Sequence, residues 1–202
     1  MNCGIFRFLP KTAAAGTAIS LFWLLMAAVP PVHSAELGVK FLAGWAHAGV
    51  NAQRVPSINR IAFGAGFEAW LIRWIGLEVD AFFTVKGYRV EWEDREHDFA
   101  EISFPVLLKA RVFLDRAATL SLSAFGGGAY SRFLTEMDPN FERYDFGIIA
   151  GGSIEKRLGR IGFILEGRYH WGLRYQSDEY LPSRFSFKTR TLYLLTGANL
   201  HF

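Results

Sequence analysis

Charged residues in this chain recur at every second position inside otherwise apolar stretches. Glu78 and Asp80 stand two apart, as do Lys109 and Arg111, and then Glu166, Arg168 and His170. Lys40, Glu68, Lys86, Glu101, Asp145 and Arg174 repeat the pattern singly, each between apolar or glycine neighbours. A spacing of two puts such groups on one face of an extended strand, where they share a compartment. Opposite charges packed there form a structural ion-pair network, and this is the main reading. A continuous file of them would instead pass protons or small ions. His170, near Glu166 and, across a hairpin, Asp145, invites a third chemistry, the Ser-His-Asp triad of a lipid-modifying barrel enzyme. That chemistry also needs a nucleophile within hydrogen-bond reach and an oxyanion donor. No serine lies at the right height on a neighbouring strand, since Ser131 and Ser183 fall in or near loops. No enzyme, metal centre or cofactor is therefore expected.

Strands must hold these groups. The last twelve residues alternate: Leu192, Leu194, Thr196, Ala198, Leu200 and Phe202 share one face, and Tyr193, Asn199 and His201 lie on the other. Period-2 alternation describes a strand with a different solvent on each side. Strand candidates recur at 36–45, 61–71, 76–88, 99–113, 119–133, 142–156, 161–175 and 191–202. Connections after the second, fourth and sixth are short, and those after the odd-numbered strands are longer and polar. That asymmetry is the habit of outer-membrane barrels, with short periplasmic turns and longer external loops. The expected fold is all-β: an eight-stranded antiparallel up-and-down transmembrane β-barrel. A lipocalin-like barrel is excluded, because it would keep its apolar face inside. Eight strands leave little more than side-chain space in the lumen, so the inward charges read as a plug. Pro105 cannot donate to a strand ladder, so a bulge is expected there. Gly126, Gly127 and Gly128 blur the phase of the fifth strand.

The first 35 residues read as a cleaved signal peptide. Arg7 and Lys11 precede an apolar run over 13–29, then Pro30 and Pro31, then small residues, with the cut placed after Ser34 or Ala35. Residues 36–202 are then the barrel domain. The only cysteine, Cys3, lies in the leader, so the exported chain carries no thiol chemistry. A net charge of +3 without clustered Lys/Arg and interleaved aromatics excludes nucleic acid as a partner. Aromatics at 16% and 20 glycines suit interface belts and a narrow lumen. The acidic segment 91–98 reads as a solvated loop among lipopolysaccharide-bridging cations, and Lys156, Arg157 and Arg160 as solvated turn cations.

Two segments carry a family resemblance. The stretch 80–87, Asp-Ala-Phe-Phe-Thr-Val-Lys-Gly, resembles the acid-apolar-aromatic run ending in Lys-Gly of PorT-like outer-membrane β-barrel proteins. Residues 102–109 resemble that family's apolar run through Pro to Lys, with Ser103 where an acid is usual. The segments at 145–147 and 166–173 and the terminal Phe202 are similar too. The resemblance implies an integral outer-membrane barrel without a shared active site. The expected role is structural or interaction-based, through the outer loops or an envelope partner. A lipid-modifying enzyme and a narrow small-ion channel are the alternatives. Outer-membrane lipid and lipopolysaccharide would surround the barrel. The barrel-assembly machinery would read Phe202 as its signal.

Overall fold

The computed structural model describes residues 36–50, 57–90, 95–134, 143–174, 176–177 and 186–202. The leader, Ser183 and residues 91–94 of the acidic segment lie outside the described residues. The elements are β1 (Glu36–Val50), β2 (Ile58–Trp70), β3 (Ile75–Val90), β4 (Arg95–Phe113) and β5 (Leu120–Phe133), followed by β6 (Tyr144–Leu158) and β7 (Ile161–Gly172). Then come the two-residue strands β8 (Gln176–Ser177) and β9 (Ser186–Phe187), and finally β10 (Thr189–His201). Eight of them close into an antiparallel barrel in the order β1-β10-β7-β6-β5-β4-β3-β2, while β8 and β9 pair separately within the last long connection. Closure matters energetically, because each unpaired backbone group in hydrocarbon costs several kcal/mol. The seam is zipped from Gly38↔His201 to Val50↔Thr189. Beyond it, the Phe202 amide donates to the Leu37 carbonyl at 2.9 Å.

Several strands run further than alternation alone implied. β1 continues to Val50 and β2 begins at Ile58, so the first outer connection is shorter than its sequence suggests. β3 and β4 pair as far as Val90↔Arg95, which carries residues 95–98 of the acidic segment into a strand rather than a loop. At the other end β6 reaches Leu158, leaving Gly159 and Arg160 as a two-residue turn. Gly159 has φ +65° at the first central position, the type II′ requirement that glycine meets without strain. Arg157 is consequently a strand residue facing the lumen, not a solvated turn cation. The β4–β5 turn is built differently. Asp115 accepts from the Leu120 and Thr119 amides at 2.9 and 2.8 Å. Those bonds hold its carboxyl below the usual carboxylate range.

No bulge forms at Pro105. The β3–β4 ladder skips the two pairs opposite Pro105 and Phe104 and resumes in the same register, Val79↔Val106 before and Phe82↔Ser103 after. The missing N–H is absorbed as a gap in one ladder, while Pro105↔Ala129 pairs on the other side. The triple glycine also keeps phase. Phe125, Ala129 and Phe133 all point inward with no slip.

The outside is apolar. Trp45, Ile61, Phe163, Leu165, Leu194 and Phe202 are each at least half exposed, a surface stable only against hydrocarbon. Aromatic pairs gather toward the outer end, with Phe63 and Phe83 at 5.1 Å, Tyr130 and Phe146 at 5.4 Å, and Tyr169 and Trp171 at 4.2 Å between ring centres. Trp74 and Phe113 sit toward the opposite end. Two such belts flank the lipid-facing band of a transmembrane barrel.

Candidate functional site: the lumen ion network

Inward-facing glycines make room for the large lumen side chains. Gly66 is paired with Asp80, and a Cβ on Gly66 would fall 1.8 Å from Asp80 Oδ1. Gly151 likewise receives the Phe125 ring, and Gly147 the His170 imidazole. Because neighbouring strands are locked in register, each bulky group has one slot and its charge has a fixed address.

The central cluster joins strands that are not neighbours. Lys109 on β4 donates to Glu68 at 2.8 Å and to Glu78 at 2.6 Å. Lys40 on β1 bonds Glu78, and donates to Glu166 on β7 at 3.2 Å. Arg168 reaches across the lumen to Asp80 at 2.5 Å and Glu78 at 2.7 Å, and also pairs with Glu166. Its guanidinium lies 4.7 Å from the centre of Phe82 and 5.4 Å from that of Phe125. Every one of these charged groups is at most 3% exposed. In so dry a space a charge is tolerated only when paired.

Two other levels flank this cluster. Toward the outer end Lys86 donates to Glu101 at 2.8 Å and lies 3.4 Å from His170 Nδ1. Among the described residues His170 Nε2 has no hydrogen-bond partner, so neither ring nitrogen touches a serine or a carboxylate. Ser131 is a strand residue of β5 rather than a loop residue, wholly buried as the register partner of Asp145. Its hydroxyl makes no bond to the imidazole. The triad geometry is absent at this histidine. Asp145 instead accepts from Thr189 Oγ1 at 3.0 Å and the Arg174 amide at 3.1 Å. At the periplasmic end Arg111 pairs with Glu36 at 2.8 Å and stacks 3.9 Å over Trp70, whose indole N–H donates to Glu68 at 3.0 Å.

The structure thus brings together Lys40, Glu68, Glu78, Asp80, Glu166, Arg168 and Lys109, and separately Lys86, Glu101 and His170. Asp80 meets Arg168 across the lumen, while Lys109 on the neighbouring strand is spent on Glu68 and Glu78. Arg174 holds its guanidinium 4.2 Å from the centre of the outward Tyr144 ring and gives its backbone amide to Asp145. Sequence reasoning left out Glu36, Glu155 and Arg157. Glu155 was legible from phase, since it alternates with outward Ile154. Arg157 was hidden by placing the turn two residues early.

Fold and site together define a transmembrane β-barrel of the outer-membrane type with a side-chain-filled lumen. Solved structures of that type superpose on it along their whole length. A major outer membrane protein from Thermus thermophilus matches with a TM-score of 0.60 and 12% identity, over 84% of this chain and all of that one. Neisserial surface protein A matches at 0.58 and 13%, over 84% and 99%. The outer membrane protein OprG of Pseudomonas aeruginosa matches at 0.56 and 13%, over 84% and 96%. No protein-family model and no curated protein sequence matches the chain. At this identity the likeness is one of fold.

Proposed function

We propose that this chain is an integral bacterial outer-membrane protein of the PorT-like kind, with a non-conducting lumen and a structural or interaction role. The observation that carries this reading is the central cluster. Arg168, Lys40 and Lys109 cross-link four carboxylates from strands on opposite walls at almost no exposure. A channel needs mobile water and ions along its axis, whereas this lumen is filled by paired side chains and by Leu42, Phe82, Leu107, Phe125 and Ile149. Contact with the rest of the envelope then falls to the rims, either through the outer connections or through an envelope protein. Lipid and lipopolysaccharide solvate the outer wall. An enzymatic role draws no support from His170, whose imidazole bonds no serine among the described residues. Purified protein in planar bilayers is expected to show no discrete conductance steps in molar salt. Regular single-channel steps that disappear on Arg168→Trp would overturn the plug and favour a small-ion path.

Assembly is the second expectation. β10 is the last barrel strand in chain order, and until it meets β1 the sheet has two open edges that invite aggregation. Phe202 is 68% exposed beside the seam, and only its backbone amide is used there. It contributes little to the finished barrel, which suits a residue read by the insertion machinery. Deleting Phe202 should lower the amount assembled in cells, while refolding of purified protein into detergent stays near normal. Undiminished assembly in the outer membrane would leave Phe202 as a simple interfacial anchor.

A further inference from the structure

At the periplasmic mouth, Glu68 on β2, Gly38 on β1 and His201 on β10 are consecutive across the sheet, for Gly38 is the register partner of both. Gly38 brings no side chain. A Cβ there would stand 2.6 Å from Asn199 Oδ1 and 3.1 Å from Glu68 Oε1, so its absence leaves a cradle between the carboxylate and the imidazole. Glu155 on β6 closes the cradle, its Oε1 2.5 Å from His201 Nε2. One ligand atom from each of Glu68, Glu155 and His201 lies within 4.8 Å of the others; Glu68 and His201 are buried, and the Glu155 side chain is 11% exposed. Tetrahedral bonds of about 2.0–2.2 Å put ligand atoms about 3.3–3.6 Å apart, so Glu155 and His201, now hydrogen-bonded, would part by about 1 Å to admit the ion while Glu68 draws in.

Asn199 supplies a second, independent observation. It is wholly buried and donates its amide N–H to Glu68 at 2.5 Å, which leaves Oδ1 without a hydrogen-bond partner. A buried amide oxygen without a partner is costly, and this one points into the space over Gly38. Its Nδ2 bond to Glu68 is also the kind of outer contact that orients a metal-ligating carboxylate.

We propose that this cradle is a zinc site, with Glu68, Glu155 and His201 as ligands and Asn199 Oδ1 as the fourth donor. Carboxylate and amide oxygens with one imidazole suit a borderline transition ion. Mg²⁺ and Ca²⁺ favour all-oxygen shells and would be held more weakly. Arg157 is the cation that must yield. It shares its Nη2 between His201 and Glu36 and keeps Glu36 when the imidazole turns to the ion. The bound ion would tie β2, β6 and β10 into one girdle beside the closure seam, and binding to the folded state alone would stabilise the barrel by linkage.

The test is calorimetric titration of Zn²⁺ into tag-free, detergent-folded protein, paired with the visible absorption of a Co²⁺-substituted sample. One saturable Zn²⁺ per barrel is expected, reversed by EDTA and not displaced by millimolar Mg²⁺ or Ca²⁺. Glu155→Gln and His201→Ala should each weaken binding by more than the roughly 10–100-fold typical of losing an outer-shell partner. His47→Ala, an exposed histidine bonded to Asn59, should leave it unchanged. Folding of every variant is checked by heat-modifiable gel mobility, and the conservative Glu155→Gln decides the matter if His201→Ala does not fold. Absence of saturable Zn²⁺ binding, or equal binding by folded Glu155→Gln, would overturn the site.

Discussion

Arg168→Met is expected to destabilise the folded barrel by about 3–5 kcal/mol, the range for stripping one partner from a buried charge cluster. Methionine keeps much of the volume between Phe82 and Phe125 while deleting the charge, so the loss is electrostatic rather than a cavity effect. Glu166, Asp80 and Glu78 all spend bonds on this guanidinium. Of the three, Asp80 has no other cation in its ion pairs among the described residues and would be left buried and uncompensated. Adding Asp80→Asn to Arg168→Met should therefore cost less than Asp80→Asn costs alone. The double-mutant cycle should return a coupling within the roughly 0.5–3 kcal/mol seen for residues in direct contact. The same cycle between Asp80 and Lys109 should return less, because Lys109 bonds Glu68 and Glu78 and not Asp80. Urea titrations of folding into lipid vesicles measure all three quantities. A loss under about 1 kcal/mol for Arg168→Met, in the range of exposed pairs, would mean that water reaches the cluster and that the lumen is not a dry plug.

That Asp80–Arg168 pair shows where sequence legibility ends. Alternation assigned faces well because each strand has lipid on one side and a packed lumen on the other, and a one-residue error would put a charge into lipid. Glu78, Asp80, Glu166 and Arg168 could be placed inside on that ground alone. Which of them touch depends on quantities alternation does not carry. Contacts across a barrel depend on stagger and closure, so Arg168 on β7 finds Asp80 on β3, 88 residues away, with no local signal. The Pro105 expectation failed for a related reason. Proline's rule concerns a single donor, and a closed ladder can lose one bond without changing register. Turn placement near Arg157 failed because the glycine that makes a two-residue turn possible sits at 159, and basic residues on either side looked alike. The periplasmic cradle was half legible. His201 and Asn199 fall on the inner face by phase, but their approach to Glu155 and Gly38 follows only from the way the seam closes.

Leu165→Arg is the second large effect, and it tests the outer wall as Arg168 tests the inner. Leu165 is 54% exposed and flanked across the ladders by outward Ile154 and Thr196. It stands in mid-strand, between Ile161 beside the turn and Trp171 in the outer aromatic belt. A cation on the lipid face near the bilayer midplane costs about 2–4 kcal/mol, falling to about 0–1 near the interfaces. Arginine at 165 must either drag water into hydrocarbon or stretch to a distant headgroup, and a strand offers it less reach than a helix end would. Ile161→Arg, on the same strand and face but beside the Gly159-Arg160 turn, can place its guanidinium among headgroups directly and should cost little. Ile164→Thr, one residue away but turned into the lumen against Leu42 and Leu195, should cost less than Leu165→Arg, because it adds a hydroxyl and no charge. The decisive comparison is the gradient along one face together with the contrast between faces, both read from vesicle-folding titrations. A flat response at 161 and 165 would mean that this wall does not face hydrocarbon. Equal losses at 164 and 165 would mean that the inner and outer faces of β7 have been exchanged, and the ion network would then have to sit in lipid, where its unpaired members could not persist.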